Sequence, residues 1–235
     1  MTRFSNLFII INICQNKGGL SITADDFYRN VFHLKDENLI QELVNATEIR
    51  HLKKGEFVVR IGEVQNDVYF LETGIARGYF LDINGKDVTD CFAFQCGTAA
   101  VSFGQLEVDV PSSMTIEMLE DGRFFCVPIS VVIRLQKHYE EAMMLYNHLL
   151  IAAMKAHWEL KRVLNSCTAV QRYQWFLEKY PGLIDKVSNK YIASFLGMTP
   201  VTLSRLRKVL REKRKPDNDI KVKEKQIDIG GSSVM

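Results

Sequence analysis

Residues 189–209 read NKYIASFLGMTPVTLSRLRKV, and this stretch decides the fold of the C-terminal part of the chain. Gly197 supplies a tight turn between two short helices, and Ala193 is small where those helices must touch. Thr199 can cap the second helix, and Pro200 occupies its first position, where a missing N–H costs nothing. The apolar contacts fall on Ile192, Leu196, Leu203 and Leu206. The stretch therefore predicts a helix-turn-helix, with a generic helical hairpin as the alternative.

Charge is concentrated around this motif. Residues 188–215 carry a net charge of +7, whereas residues 1–187 carry −4 and residues 216–235 carry −1, so the total of +2 is a cancellation. A basic helix-turn-helix on an otherwise acidic chain is typical of a DNA-binding protein. A solvated basic face without a partner is the alternative.

The second helix of the motif supplies the predicted DNA contacts, because its N-terminal part enters the major groove in this geometry. We predict that Arg205 contacts a base, since a guanidinium can bond a guanine edge bidentately. Val201 can offer only an apolar contact, such as to a thymine methyl. The same outward face carries Pro200, Ser204 and Lys208. Phosphate contacts are predicted for Lys190, Thr199, Thr202 and Arg207.

The first half of the chain is rich in strand signals. Phe57 to Ile61 alternates apolar and polar residues, and Val68 to Leu71 is a compact apolar run. The pair Asn84-Gly85 is a strong hairpin signal, because both turn residues must accept positive φ. Short strands with frequent turns predict a small β-barrel or sandwich. An amphipathic helix over 36–46 is expected beside it.

Residues 130–166 are predicted to be helical throughout. One apolar stripe runs along Ala142, Leu145, Leu149, Ala152, Ala156, Leu160 and Val163. The small alanines permit close approach, so we favour a two-fold partner helix on this stripe. Packing onto its own domain is the alternative.

Several classes of protein are disfavoured by what the sequence lacks. It has none of the GxSxG, HExxH, P-loop or GxGxxG signatures, so we expect no enzyme and no cofactor. The five cysteines form no CxxC pair and the five histidines no metal motif, so buried reduced thiols in a reducing cytoplasm are expected. No apolar run approaches the roughly 20 residues of a membrane span. Residues 7–13, LFIIINI, mimic a signal peptide, but the run is short and leads into Gln-Asn-Lys.

The order of parts resembles the Crp/Fnr family of bacterial transcription regulators over about residues 37–210. The residues that carry the resemblance are Gly55-Glu56, Gly62, Tyr69-Phe70-Leu71 with Gly74 and Arg77, Gly104-Gln105-Leu106, and the run from Thr199 to Arg205. The resemblance implies an α+β architecture. It begins with a double-stranded β-helix or jelly-roll sensor of the cyclic-nucleotide-binding type, followed by a long dimerisation helix and a C-terminal helix-turn-helix of the winged-helix type. It also implies a homodimer on a palindromic double-stranded operator, acting on RNA polymerase.

These parts give five expected segments. Residues 1–24 form a leader, either poorly ordered or an extra strand, and residues 25–138 the sensor. Residues 139–166 form the dimerisation helix, residues 167–215 the DNA-binding domain, and residues 216–235 a tail with no core to join.

The sensor departs from the pattern of the members that bind cyclic nucleotides. Those members place a Glu where this chain has Gln105, and an Arg-containing pair where it has Pro111-Ser112-Ser113. A phosphate held without its guanidinium loses charge-assisted bonds of about 1.5–3 kcal/mol each, so cyclic AMP is not expected to be the effector. An effector site is nevertheless predicted at Gly104, Gln105, Leu106, Ser112 and Ser113.

Three alternatives stay open for the sensor: another small anion, control by protein contacts, and a permanently DNA-competent state. The cysteine cluster of the oxygen-sensing members is absent, and Val201 stands where many members have Glu, so the half-site is open as well. A different class of function is an interaction module that senses a ligand without touching DNA.

Overall fold

The computed structural model describes residues 21–101 and 109–213, with side chains up to residue 210. The helices are α1 Ala24–Asn30, α2 Glu37–Ala46, α3 Ile129–His138, α4 Glu140–Ser166, α5 Ala169–Lys179, α6 Leu183–Lys186, α7 Asn189–Phe195 and α8 Pro200–Lys213. The strands are β1 Glu48–Leu52, β2 Phe57–Val59, β3 Asp67–Thr73, β4 Ala76–Leu81, β5 Asp87–Ala93, β6 Ala99–Ala100, β7 Thr115–Met118 and β8 Gly122–Pro128. Two compact units divide between Lys161 and Arg162, within α4. The borders of the five predicted segments stay predictions.

The N-terminal unit contains two four-stranded antiparallel sheets, ordered β1-β8-β3-β6 and β2-β7-β4-β5. The predicted hairpin joins β4 to β5, and Gly85 at its turn has φ +75°. The strand predicted over 57–61 ends at Val59, because Arg60 and Glu63 close a turn through both backbone and side chain. The sequence thus predicted the hairpin correctly but made one strand two residues too long.

The sheet that contains β3 and β8 is buried on both faces. Along β3, Val68 and Phe70 pack against the helices, whereas Tyr69 and Leu71 pack between the sheets. Successive strand residues point to opposite faces, so a doubly covered strand is apolar at every position. This explains why residues 68–71 form a compact apolar run.

Part of the predicted leader belongs to the core. Ile22 is buried, its N–H donates to the carboxylate of Glu72 at 2.9 Å, and its carbonyl accepts from Arg123 at 3.2 Å. Phe27 and Tyr28 of α1 are fully buried. Residues 1–20, the remainder of the leader, lie outside the described residues.

The prediction that residues 130–166 are helical throughout is wrong, because the segment contains a break at Tyr139. Tyr139 adopts an extended conformation between α3 and α4, with φ −127° and ψ 120°. Contacts with the α2 region accompany the break: the Tyr139 hydroxyl donates to Glu42 at 2.7 Å, and Glu141 accepts the backbone N–H groups of Lys35 and Asp36. The break follows from tertiary contacts that helical periodicity does not contain.

The helix α4 carries two apolar stripes. Ala142, Leu145 and Leu149 of the predicted stripe pack against the core of their own unit. A second stripe is exposed, and it comprises Met144, Ile151, Met154 and Trp158. Because the middle of the helix is apolar on several sides, periodicity alone could not show which stripe is covered by the β-roll, that is, by the two sheets of the N-terminal unit and their flanking helices.

The C-terminal unit is helical over its described residues, and no strand lies among them, so the wing of a winged helix is not seen there. Its core includes Tyr173, Phe176, Leu183, Ile192 and Phe195. In the described ranges, no helix has both the length and the apolar composition that crossing a bilayer requires.

Candidate nucleic-acid interface and sensor cavity

The helix-turn-helix forms as the sequence predicted. Ala193 and Leu203 are fully buried where α7 and α8 touch, and Gly197 takes φ +59° in the turn. Thr199 caps α8: its hydroxyl accepts the N–H of Thr202 at 3.1 Å, and its carbonyl accepts the N–H of Leu203. These local interactions fix the start of α8 and therefore the face that it presents.

The outward face of α8 is exposed at every predicted position, namely Pro200, Val201, Ser204, Arg205 and Lys208. Within the described part of the chain, Arg205 and Lys208 have neither a hydrogen bond nor an ion pair. Two cations one turn apart are thus available to an external anion. The side chains of Arg211 and Lys213, and residues 214 and 215, lie outside what the structure describes.

The predicted phosphate contacts differ in their availability. Lys190 is exposed, with its ammonium 5.6 Å from the centre of the Tyr191 ring. Arg207 instead donates to the side-chain carbonyl of Asn189 at 2.6 Å and lies 3.5 Å from the carboxylate of Asp185. It therefore braces α8 against residues around the start of α7.

Thr199 and Thr202 are also partly engaged. Their hydroxyls lie 2.9 Å apart and hydrogen-bond to each other, while Thr199 caps the helix as well. Thr199 is exposed and Thr202 half-buried, so a phosphate contact would share these groups with the cap.

Arg172 contributes to this motif although no sequence signal identifies it. It lies on α5, outside the stretch 189–209, and its guanidinium donates to the carbonyls of Leu196 and Gly197, just after α7, and to that of Cys167. Only the three-dimensional structure brings these groups together.

The N-terminal unit contains a cavity of about 440 Å³, lined by Phe80, Asp90, Ser113, Met114 and His157. Of the predicted effector residues, Ser113 lines it, and Gly104, Gln105 and Leu106 lie outside the described residues. Ser112 is buried, and its hydroxyl donates to the carbonyl of Met114 at 2.6 Å and accepts the N–H of the same residue. Its hydroxyl is therefore used within the loop.

The polar groups of this cavity are not arranged for an anion. His157 Nε2 lies 3.8 Å from a carboxylate oxygen of Asp90. Burial raises the pKa of the Asp90 carboxyl above its ordinary value, and the interaction with His157 opposes that rise. No arginine or lysine is among the described lining residues.

Arg77, a buried cation of the same unit, is already paired with carboxylates. Its side chain is 3% exposed and lies 2.7 Å from the carboxylate of Asp87 and 2.8 Å from that of Glu117. It also donates to the hydroxyl of Thr89. Arg77 therefore neutralises two carboxylates of its own unit.

The cysteines and possible metal ligands add no reactive centre among the described residues. Cys91, Cys126 and Cys167 are free thiols, and burial raises the pKa of Cys91 to about 12. Cys96 is disulfide-bonded, so the expectation of reduced thiols was wrong there. The described ranges hold no cluster of three or more metal-ligating side chains.

No protein-family model and no curated protein matches the sequence. Several solved structures are similar to this chain. FixK2 from Bradyrhizobium japonicum is 21% identical with a TM-score of 0.62, over 71% of this chain and 85% of that one. A putative regulator of the crp/fnr family from Eubacterium rectale is 16% identical with a TM-score of 0.60, over 79% and 88%. The c-di-GMP-responsive global regulator CLP from Xanthomonas campestris is 12% identical with a TM-score of 0.59, over 76% and 93%.

Each of these three likenesses covers between 71% and 79% of this chain. The β-sheet unit, the long helix and the helix-turn-helix that the sequence motifs suggested are present in that order. The chain has the fold of the Crp/Fnr transcription regulators.

Proposed function

We propose that this protein is a sequence-specific, DNA-binding transcription regulator of the Crp/Fnr type. The observation that carries the proposal is the exposed outward face of α8, with Arg205 and Lys208 unpaired on it among the described residues. Cations that meet no internal carboxylate are available to neutralise phosphates and to read base edges. The fold supports the same function, since the compared regulators share it.

The roles on α8 follow from position and chemistry. Arg205 reads a guanine edge, and Val201, 59% exposed, packs against a thymine methyl. Pro200 and Ser204 lie beside them at the base edges, and Lys208 and Lys190 bind phosphates. Thr199 and Thr202 add weaker backbone contacts while they cap the helix. Arg207 does not contact DNA directly but holds α8 in place through its contacts with Asn189 and Asp185.

Selection of bound duplexes from random DNA by the purified full chain tests this function. We expect enrichment of one palindromic sequence, and binding to it at least a hundredfold tighter than to a scrambled duplex at the same salt concentration. Failure of the folded protein to enrich any sequence would contradict the proposal. It would favour the alternative of an interaction module that senses a ligand without touching DNA.

The palindrome requires a homodimer, and the exposed stripe of α4 supplies a surface for it. Met144, Ile151 and Trp158 are seven residues apart along the helix, with Met154 between the last two, and each is at least half exposed. Seven-residue spacing is the repeat of paired helices in a coiled coil. The pairing surface is thus this stripe, since part of the sequence-predicted one faces its own unit.

Two variants of neighbouring residues test the pairing surface. Ile151→Asp places a charge within the exposed stripe, and we expect the dimer dissociation constant to rise at least tenfold in analytical ultracentrifugation. Ala152→Asp places the same charge on the same helix, on the exposed part of the sequence-predicted stripe, and should leave the dimer intact. If Ala152→Asp weakened the dimer and Ile151→Asp did not, the interface would instead be the sequence-predicted stripe.

We propose that the sensor responds to a small ligand other than cyclic AMP, held in the cavity of Ser113, Asp90 and His157. An anionic phosphodiester beside Asp90, with no arginine or lysine among the described lining residues, would lose the charge-assisted bonds that hold it. Ser112 supports the loop rather than the ligand. Micromolar binding of cyclic AMP in calorimetry would contradict this. Action on RNA polymerase follows from the proposed class of regulator.

A further inference from the structure

Arg172 makes an unusual set of bonds within the C-terminal unit. Its Nε donates to the carbonyl of Cys167 at 3.2 Å, and its Nη1 donates to the carbonyls of Leu196 at 2.7 Å and of Gly197 at 3.1 Å. All three acceptors are backbone oxygens. The guanidinium therefore joins the beginning of α5 to the turn of the helix-turn-helix.

The acceptors at the turn are groups that a helix leaves without intrahelical partners. Leu196 is the C-terminal cap of α7, and the last carbonyls of a helix have no N–H from a following turn. These oxygens also carry the negative end of the helix dipole, so a cation there is favourable. An arginine satisfies several of them at once because its donors lie in one rigid plane.

Gly197 makes room for this arrangement. A Cβ at that position would lie 3.1 Å from Nη1 of Arg172 and 3.4 Å from a methyl group of Leu164. The glycine thus serves two purposes: it adopts φ +59°, and it leaves space for the guanidinium.

We propose that Arg172 is the positioning residue of DNA recognition, which sets the angle of α8 by holding the turn that leads into it. Only Met198 and Thr199 separate the Gly197 carbonyl from Pro200, the first residue of α8. A shift of the turn therefore moves Val201 and Arg205 relative to the bases. Specific contacts need bidentate geometry and suffer from such a shift, whereas phosphate contacts tolerate it.

This inference rests on the proposed function and predicts a separation of two affinities. In the full chain, Arg172→Met should weaken binding to the selected operator at least tenfold and binding to a scrambled duplex less than twofold. Arg172→Lys should recover part of the loss, because an ammonium keeps the charge at the helix end but not the planar fork. Arg162→Met is the matched control, since it removes the same charge from an exposed position on α4, and it should leave the ratio of the two affinities unchanged.

Affinities are compared per folded protein, well below the midpoint of thermal unfolding, so that a loss of stability alone cannot alter their ratio. Equal losses on both duplexes, with a flatter salt dependence, would overturn the proposal by making Arg172 a phosphate ligand. Unchanged affinities would overturn it as well.

Amide hydrogen exchange tests the same inference without DNA. In Arg172→Met, exchange should accelerate at residues 196–203 and stay unchanged at the buried middle of α5; no acceleration at the turn would contradict the positioning role. If the wild-type protein selects no operator, the proposed function fails, and the exchange measurement still decides whether Arg172 holds the turn.

Discussion

Two arginines of the N-terminal unit and one of the C-terminal unit have opposite surroundings. In the N-terminal unit, Arg77 and Arg123 are 3% and 12% exposed, and each faces a carboxylate, with Arg77 facing two. In the C-terminal unit, Arg205 is exposed, with no partner among the described residues. The same side chain thus holds a fold together in one unit and is available to an external anion in the other.

The difference shows why the total charge of +2 is a poor guide to function. A cation that is neutralised inside its own unit contributes nothing to an external field, whereas an unpaired surface cation contributes fully. Arg207 shows that even within the basic segment the count overstates the charge that is available, because Asn189 and Asp185 engage it.

The largest effect is expected from removing a paired cation. Arg77→Met leaves Asp87 and Glu117, only 19% and 15% exposed, without their counter-charge. Breaking a buried ion pair from one side costs about 3–5 kcal/mol of unfolding free energy. Chemical denaturation should show this loss, and the folded fraction should keep its affinity for DNA within about twofold.

Arg60→Met is the control for that experiment. Arg60 is 56% exposed and pairs with Glu63 at the surface, so its removal should cost less than about 1 kcal/mol. Equal losses from the two variants would show that burial does not distinguish the arginines, and the contrast between the units would lose its physical basis.

The sequence was sufficient to predict the structure where the interactions that determine it are local. Gly197, Thr199 and Pro200 lie within four residues of one another, and the turn, cap and helix start they predict are all present. The hairpin at Asn84-Gly85 is local in the same sense. Such features depend on backbone preferences that each residue carries with it.

The sequence was insufficient to predict contacts between residues that are far apart along the chain. Arg172 reaches carbonyls 24 and 25 residues away, and Glu42 meets Tyr139 across 97 residues at the break between α3 and α4. The choice between the two stripes of α4 likewise depends on what the β-roll covers. Periodicity shows that a face is apolar, but not which surface will bury it.

A smaller effect, confined to DNA recognition, is expected from Arg205→Ala. Loss of the proposed bidentate contact to guanine should reduce discrimination between the operator and a scrambled duplex by about 1–3 kcal/mol per half-site. Because the side chain is exposed and unpaired among the described residues, the unfolding free energy should change by less than about 0.5 kcal/mol. Competition binding with both duplexes measures the first quantity. Equal loss on both would remove Arg205 from base reading.

The smallest effect is expected from Lys208→Ala, which removes the neighbouring cation of the same face. The proposed role of its ammonium is to bind a phosphate, so affinity should fall less than tenfold and equally for the operator and the scrambled duplex. The slope of log affinity against log salt should become shallower by about one per protomer, because one counterion fewer is released. A preferential loss on the operator would assign base reading to Lys208. An unchanged slope would show that Lys208 does not contact a phosphate. The assignment of the exposed cations of α8 to phosphate contacts and base contacts would then have to change.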